Sequence, residues 1–257
     1  MIRPSRVDFL QMARAAHILP VVREMRADRL TPIDAFYALG ASYLLESAAG
    51  GAFGRWSFLG VEPVARLAIR GEEVKISDED GERSFASPDP VRAIGDLMRS
   101  RPWIGAGDLS PFPGGAVGYL GYDIARRWER LPDVSGKSGP DVPDGMFMIT
   151  RYTLVFDNLM HSLRIICGVR VGQDPEADYV EAVKGIERIE HRLGLAEADR
   201  DRARAFPVAG SPMAGAPACN LTKKEFEAGV VHAKELIASG EAIQVVLSRR
   251  FTADFSG

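Results

Sequence analysis

Short apolar runs broken by glycine and aspartate turns fill the middle of the chain, and they constrain its fold more than any other feature. From Trp56 to Phe85 the runs are Phe58-Leu59, then Val64, Leu67 and Ile69, then Val74 and Ile76. Asp78-Glu79-Asp80-Gly81 is a turn on residue chemistry alone, because Asp and Gly tolerate positive φ. The spacing predicts an antiparallel meander. A second β region contains Gly114–Tyr122 and, after a Gly/Pro/Asp-rich loop, Met146–Phe156 and Leu163–Val171. The last two are predicted to form a hairpin around Asp157-Asn158.

Helices are interspersed singly. Val7, Leu10, Ala13 and Ala16 have helical spacing. Thr31 is a good N-cap, Pro32 suits the first helical position, Asp34 puts a carboxylate in the first turn, and Gly40 supplies a left-handed stop. Asp89 can cap a helix over Pro90–Met98, and Ala177–Leu193 carries Val180, Val183, Ile186, Ile189 and Leu193 on one face. Strands in meanders with single helices between them predict an α+β, mostly antiparallel fold for residues 1–195.

Residues 196–219 are rich in Ala, Gly, Pro, Asp and Arg and read as a linker. Beyond it, Thr222 with Glu225 fits a capping box, Phe226, Val230, Ala233 and Ile237 form an apolar stripe, and Gly240 ends the helix. Ala242–Phe251 reads as a strand, with Ile243, Val245, Leu247 and Phe251 on one face and Gln244, Val246, Ser248 and Arg250 on the other. One helix and one strand in residues 220–257 bury too little to stand as a domain. The expectation is the front part of something longer; the other reading is that these two elements complete the preceding sheet.

The 257 residues are 46% hydrophobic with a formal net charge of −3, which excludes wholesale disorder and gives no electrostatic reason to bind nucleic acid or an anionic membrane. The longest apolar candidate for a membrane span, Ala35 to Leu45, is 11 residues, against the ~20 that a span needs. Arg3, Arg6 and Asp8 interrupt any signal-peptide core. Cys167 and Cys219 have neither disulfide-scaffold nor zinc spacing, and a cytoplasmic location is expected. His17, His161, His191 and His232 include no pair with metal-ligand spacing. No nucleophile elbow, Walker loop or dinucleotide fingerprint is present, and the glycines of Gly114–Gly118 fall inside a strand-like stretch rather than a phosphate loop. From chemistry alone the chain is an α+β domain without a catalytic constellation.

Three stretches say more together. Leu44-Leu45-Glu46-Ser47 is followed by Gly54-Arg55-Trp56-Ser57-Phe58-Leu59-Gly60; then comes Pro111-Phe112-Pro113-Gly114-Gly115-Ala116-Val117-Gly118-Tyr119-Leu120-Gly121-Tyr122-Asp123; last is the Thr222–Phe251 unit. In this order they resemble the large, chorismate-using subunits of anthranilate synthases, over about residues 15–257. The resemblance implies a layered β-sandwich flanked by helices, of the anthranilate/aminodeoxychorismate synthase kind and truncated here. It also implies a lyase of tryptophan biosynthesis that makes anthranilate and pyruvate from chorismate and ammonia, with Mg²⁺ as cofactor and a glutamine amidotransferase subunit as partner.

Family members are commonly feedback-inhibited by tryptophan through the Leu-Leu-Glu-Ser element, which carries over to Leu45, Glu46 and Ser47, with Pro20 as a further candidate for the pocket wall. A carboxylate and a hydroxyl can meet an amino acid's ammonium by charge-assisted hydrogen bonds. From residue types alone Glu46-Ser47 reads as an exposed turn, and Arg55, Trp56, Gly114 and Gly115 read as strand packing and tight turns. Gln244 stands where water-adding relatives usually carry a lysine base. A neutral amide can orient ammonia but cannot activate water, so Gln244 implies an amine-adding enzyme; without the resemblance it is a polar residue on a strand's exposed face. The family's catalytic histidine and Mg²⁺ carboxylates have no counterpart here, so no anthranilate synthesis is expected of this chain by itself. The aminodeoxychorismate synthase large subunit and a non-catalytic tryptophan-binding or docking module are the other readings. Surfaces that face the rest of such an enzyme would be exposed, so dimerisation or partial disorder of residues 220–257 is expected.

Overall fold

The computed structural model describes residues 2–15, 17–47, 54–100, 102, 109–130, 142–199 and 217–253. They divide into two compact units, Met1–Arg202 and Ala203–Gly257. In the first, the elements run β1 (Ile2–Arg3), α1 (Arg6–Met12), β2 (Ile18–Arg26), α2 (Pro32–Leu39), β3 (Tyr43–Glu46), β4 (Trp56–Arg70), β5 (Glu73–Asp78), β6 (Gly81–Ala86), α3 (Arg92–Arg99), β7 (Ala116–Leu120), β8 (Gly145–Asp157), β9 (Ser162–Arg170) and α4 (Pro175–Asp199). The second holds β10 (Ala218–Cys219), α5 (Lys223–Ala238) and β11 (Phe251–Thr252).

Helix boundaries follow local chemistry. Thr31 and Asp34 close a reciprocal capping box at the start of α2, and Gly40 (φ +61°) ends it by donating its N–H back to the last turn. Asp89 Oδ1 accepts the Arg92 N–H at 3.1 Å, holding the first turn of α3. α4 begins at Pro175 and runs to Asp199, into the stretch expected as linker.

The described strands of the first unit form one antiparallel sheet in the order β1-β2-β9-β8-β4-β5-β6, with β3 also on β4 and β7 also on β8. The short strands expected from Trp56 onward are one 15-residue strand, β4, followed by the β5–β6 hairpin. β4 and β8 are the spine. Near one end β4 pairs with β3 and β8 with β9; near the other, β4 pairs with β5 and β8 with β7.

Between these halves β4 carries one extra residue. Pro63 pairs with Thr150 but Ala65 pairs with Ile149, so β4 advances two residues while β8 advances one. Glu62, at φ +57°, sits at this bulge. Because side chains alternate faces with period two, the insertion moves the odd-numbered positions of β4 to the other face. Leu59 and Val61 lie with Tyr152, Leu154 and Phe156 in a core covered by α1, α2 and α4, whereas Ala65, Leu67 and Ile69 lie with Ile149 in a second core under α3. The sheet thus packs helices on opposite faces of its two halves.

The glycine-rich stretch is structural. Gly118, on β7, lies so close to β8 that a Cβ there would come within 1.9 Å of the Met146 carbonyl oxygen.

In the second unit the capping box forms: Thr222 Oγ1 accepts the Glu225 N–H at 3.2 Å and a Glu225 carboxylate oxygen accepts the Thr222 N–H at 2.8 Å. The ten-residue strand expected over Ala242–Phe251 does not form. Only Phe251 and Thr252 are in a ladder, paired with Cys219 and Ala218. A strand needs a neighbour for its backbone groups, and among the described residues only this two-residue β10 supplies one. Ile243 and Val246 are accordingly exposed (99% and 81%).

Candidate functional site

β3, β4 and β8 end side by side, with Glu46 opposite Ser57, Ser57 opposite Phe156 and Trp56 opposite Asp157. Polar side chains tie these ends together. Arg55 grips the Asp157 carboxylate with Nε at 3.0 and 3.2 Å from its two oxygens and Nη2 at 2.6 Å from Oδ2. The Leu159 and Met160 N–H groups both donate to Asp157 Oδ1 at 3.1 Å, shaping the β8–β9 turn. Hydrogen bonding from Arg55 lowers the Asp157 pKa below the usual carboxylate range; burial opposes this, and the Met160 and Leu159 N–H groups add to it. The guanidinium also lies 4.6 Å from the centroid of the Trp56 ring.

Asn158 is fixed beside this pair. Its backbone N–H donates to Arg55 O at 2.8 Å, and its Nδ2 donates to Gly54 O at 3.1 Å and Ser57 Oγ at 3.0 Å. Ser57 is fully buried, and its hydroxyl donates to Glu46 Oε1 at 3.2 Å. Glu46 itself is exposed. The assembly presents one carboxylate to solvent on a hydrogen-bonded mount.

Among the residues singled out from sequence, Glu46 and the exposed Ser47 meet at this end of β3. Leu45 is half-exposed and faces Phe58, so it points to the side of the sheet opposite Glu46. Pro20 is buried on β2 opposite Gly168, with β9, β8 and β4 between it and β3, and the structure does not bring it to the other three. Gln244 belongs to the second unit, in an exposed stretch without regular structure. A cavity of about 380 Å³ opens at the bulge, lined by Glu62, Val64, Arg66, Asp78, Glu79 and Arg151 among others; none of these candidates lines it. Sequence reasoning used Asp157 and Asn158 only as a turn and missed their side-chain bonds to Arg55 and Ser57. The signal available was the pairing of a Gly-Arg-Trp-Ser segment with an Asp-Asn turn.

Comparison with known proteins supplies what this geometry lacks. Residues 40–257 match the family described as chorismate binding enzyme. The chain belongs to the chorismate-binding enzyme family. As a member it is 31% identical over 258 residues to anthranilate synthase component 1 of Acetivibrio thermocellus, covering 99% of this chain and 52% of that protein. It is 33% identical over 263 residues to the protein of the same name from Streptomyces coelicolor, covering 97% and 46%. A crystal structure of anthranilate synthase component I from Streptococcus pneumoniae TIGR4 aligns with a TM-score of 0.47 and 23% identity over 91% of this chain and 49% of that one. The chain spans about half the length of the curated relatives it matches.

For a chorismate-binding enzyme the described residues offer little chemistry of their own. No three His, Cys, Asp or Glu side chains among them are grouped to hold a metal ion. Nor is any described helix long and apolar enough to cross a membrane. What they provide is a held carboxylate at Glu46 and a neutral amide at Gln244.

Proposed function

We propose that this chain is the N-terminal part of an anthranilate synthase component I, which forms anthranilate and pyruvate from chorismate and ammonia, the ammonia coming from glutamine through a partner amidotransferase subunit. The observation carrying this reading is the alignment of nearly the whole chain with curated relatives named anthranilate synthase component 1. The curled sheet would form part of a layered β-sandwich completed by the rest of the enzyme. Magnesium and the substrate carboxylates would be held by that remainder, and this chain by itself is expected to make no anthranilate. Gln244, a neutral amide, would orient ammonia rather than deprotonate water.

The end of β3 is the proposed effector site: the Glu46 carboxylate and the Ser47 hydroxyl receive the ammonium of L-tryptophan, while Leu45 lies on the other face of the sheet. The intact Glu46-Ser47 element and the Gly54–Gly60 motif favour this product over aminodeoxychorismate. The test is product formation by the protein that joins this chain to its chorismate-binding remainder, given chorismate, ammonium and Mg²⁺. Anthranilate is expected; accumulation of aminodeoxychorismate or isochorismate refutes the assignment. Tryptophan inhibition left unchanged by Ser47→Ala would remove that residue from the effector site.

A further inference from the structure

We propose that Ser57 and Asn158 are positioning residues that hold the Glu46 carboxylate ready for the ammonium of an amino-acid effector. This rests on the effector reading above and assigns roles to two residues outside the Leu45–Ser47 element.

Both Asn158 amide protons are directed, one to Gly54 O at 3.1 Å and one to Ser57 Oγ at 3.0 Å, while its backbone N–H is bound to Arg55 O at 2.8 Å. The Asn158 side chain therefore cannot turn away without losing two bonds, and a third holds its backbone. A serine hydroxyl has a single proton. With Asn158 donating to its oxygen, that proton goes to the other neighbour, Glu46 Oε1 at 3.2 Å. Ser57 is fully buried, so solvent does not compete for it. Glu46 and Ser57 are also a cross-strand pair, which fixes the spacing of their backbones.

The relay thus fixes an otherwise flexible Glu side chain, whose rotamer freedom would have to be given up on binding. A carboxylate has about four acceptor sites, so one bond from Ser57 leaves it able to accept from an ammonium. The mount ends in the Arg55–Asp157 pair, which shapes the turn that carries Asn158.

Calorimetric titration of L-tryptophan into the protein that joins this chain to its chorismate-binding remainder tests this through a double-mutant cycle. Ser57→Ala and Asn158→Ala are each expected to weaken binding by up to about tenfold, the cost of ordering a Glu46 side chain that is no longer held in place beforehand. In a Glu46→Gln background the same changes are expected to shift affinity less than about twofold, because the group they position has lost its charge. Circular dichroism shows whether each variant is folded; where Ser57→Ala fails to fold, Asn158→Ala carries the test. Equal weakening in both backgrounds identifies a merely structural role and overturns the proposal. Binding that both single variants leave unchanged overturns the relay but spares the effector reading. Absence of tryptophan binding by the wild-type joined protein overturns both.

Discussion

Replacing Asp157 with Asn tests the clamp at the end of β8 with almost no change of shape. Asn keeps an oxygen to accept the Leu159 and Met160 N–H groups. It places an NH₂ group where Oδ2 now accepts Arg55 Nη2 at 2.6 Å, so donor faces donor. A hydrogen bond to a charged group is worth about 1.5–3 kcal/mol. The Asp157 side chain is only 7% exposed, which argues for the upper part of that range, but Arg55 is 39% exposed and can turn to water. The loss should therefore stay below the ~3–5 kcal/mol of breaking a fully buried pair. We expect Asp157→Asn to cost about 2–3 kcal/mol at pH 7, or about 5–10 °C in Tm for a unit of this size.

The pH dependence fixes the cause. The folded-state pKa of Asp157 is depressed, chiefly by Arg55. Its contribution is present above the unfolded pKa, near 4, and is lost as pH falls through the folded value. Urea melts of the wild type and Asp157→Asn, followed from pH 7 down to about pH 3, should converge. A difference at pH 7 below about 0.5 kcal/mol, or one that persists undiminished in acid, would refute the clamp. An Arg55→Met change should cost little further in the Asn background.

Gly118→Ala forces a Cβ against the Met146 carbonyl, where backbone rather than a flexible side chain must yield; it should destabilise the first unit by about 2 kcal/mol or more, and thermal melting checks it. The two thiols should differ in reactivity. Cys167 is buried with its pKa pushed up to about 12 by desolvation, so iodoacetamide should leave it intact until unfolding. Cys219 has Arg249 Nε 2.5 Å from its sulfur; burial is the largest single influence on its pKa and raises it, but the Leu221 N–H, Arg249 and the Asn220 N–H together outweigh burial and lower it, so mass spectrometry should find it alkylated first. In α5, hydrogen bonding from the Thr222 backbone N–H, and then from its hydroxyl, lowers the Glu225 pKa, so far-ultraviolet ellipticity should fall as pH drops through that depressed value, and Glu225→Gln, which cannot titrate, should remove this dependence.

What could be read from the residues was whatever the chain decides locally. Thr31, Asp34 and Gly40 announce α2, Thr222 and Glu225 announce α5, and Asp157-Asn158 announces the β8–β9 turn. Each is a matter of a few neighbouring atoms. The strand expected over Ala242–Phe251 shows where local reasoning stops, since alternation tells which faces a strand would have but not whether a partner lies beside it. The bulge in β4 is the sharper case. Leu59, Val61, Ala65, Leu67 and Ile69 are all odd-numbered and apolar, and by alternation they belong to one face. The structure sends the first two under α4 and the last three under α3, because Pro63 and Ala65 pair with consecutive residues of β8. That shift is a property of two strands far apart in the chain. The same distance hid the site: Glu46, Ser57 and Asn158 come from three strand ends, and only their registry turns a solvent-facing carboxylate into a mounted one.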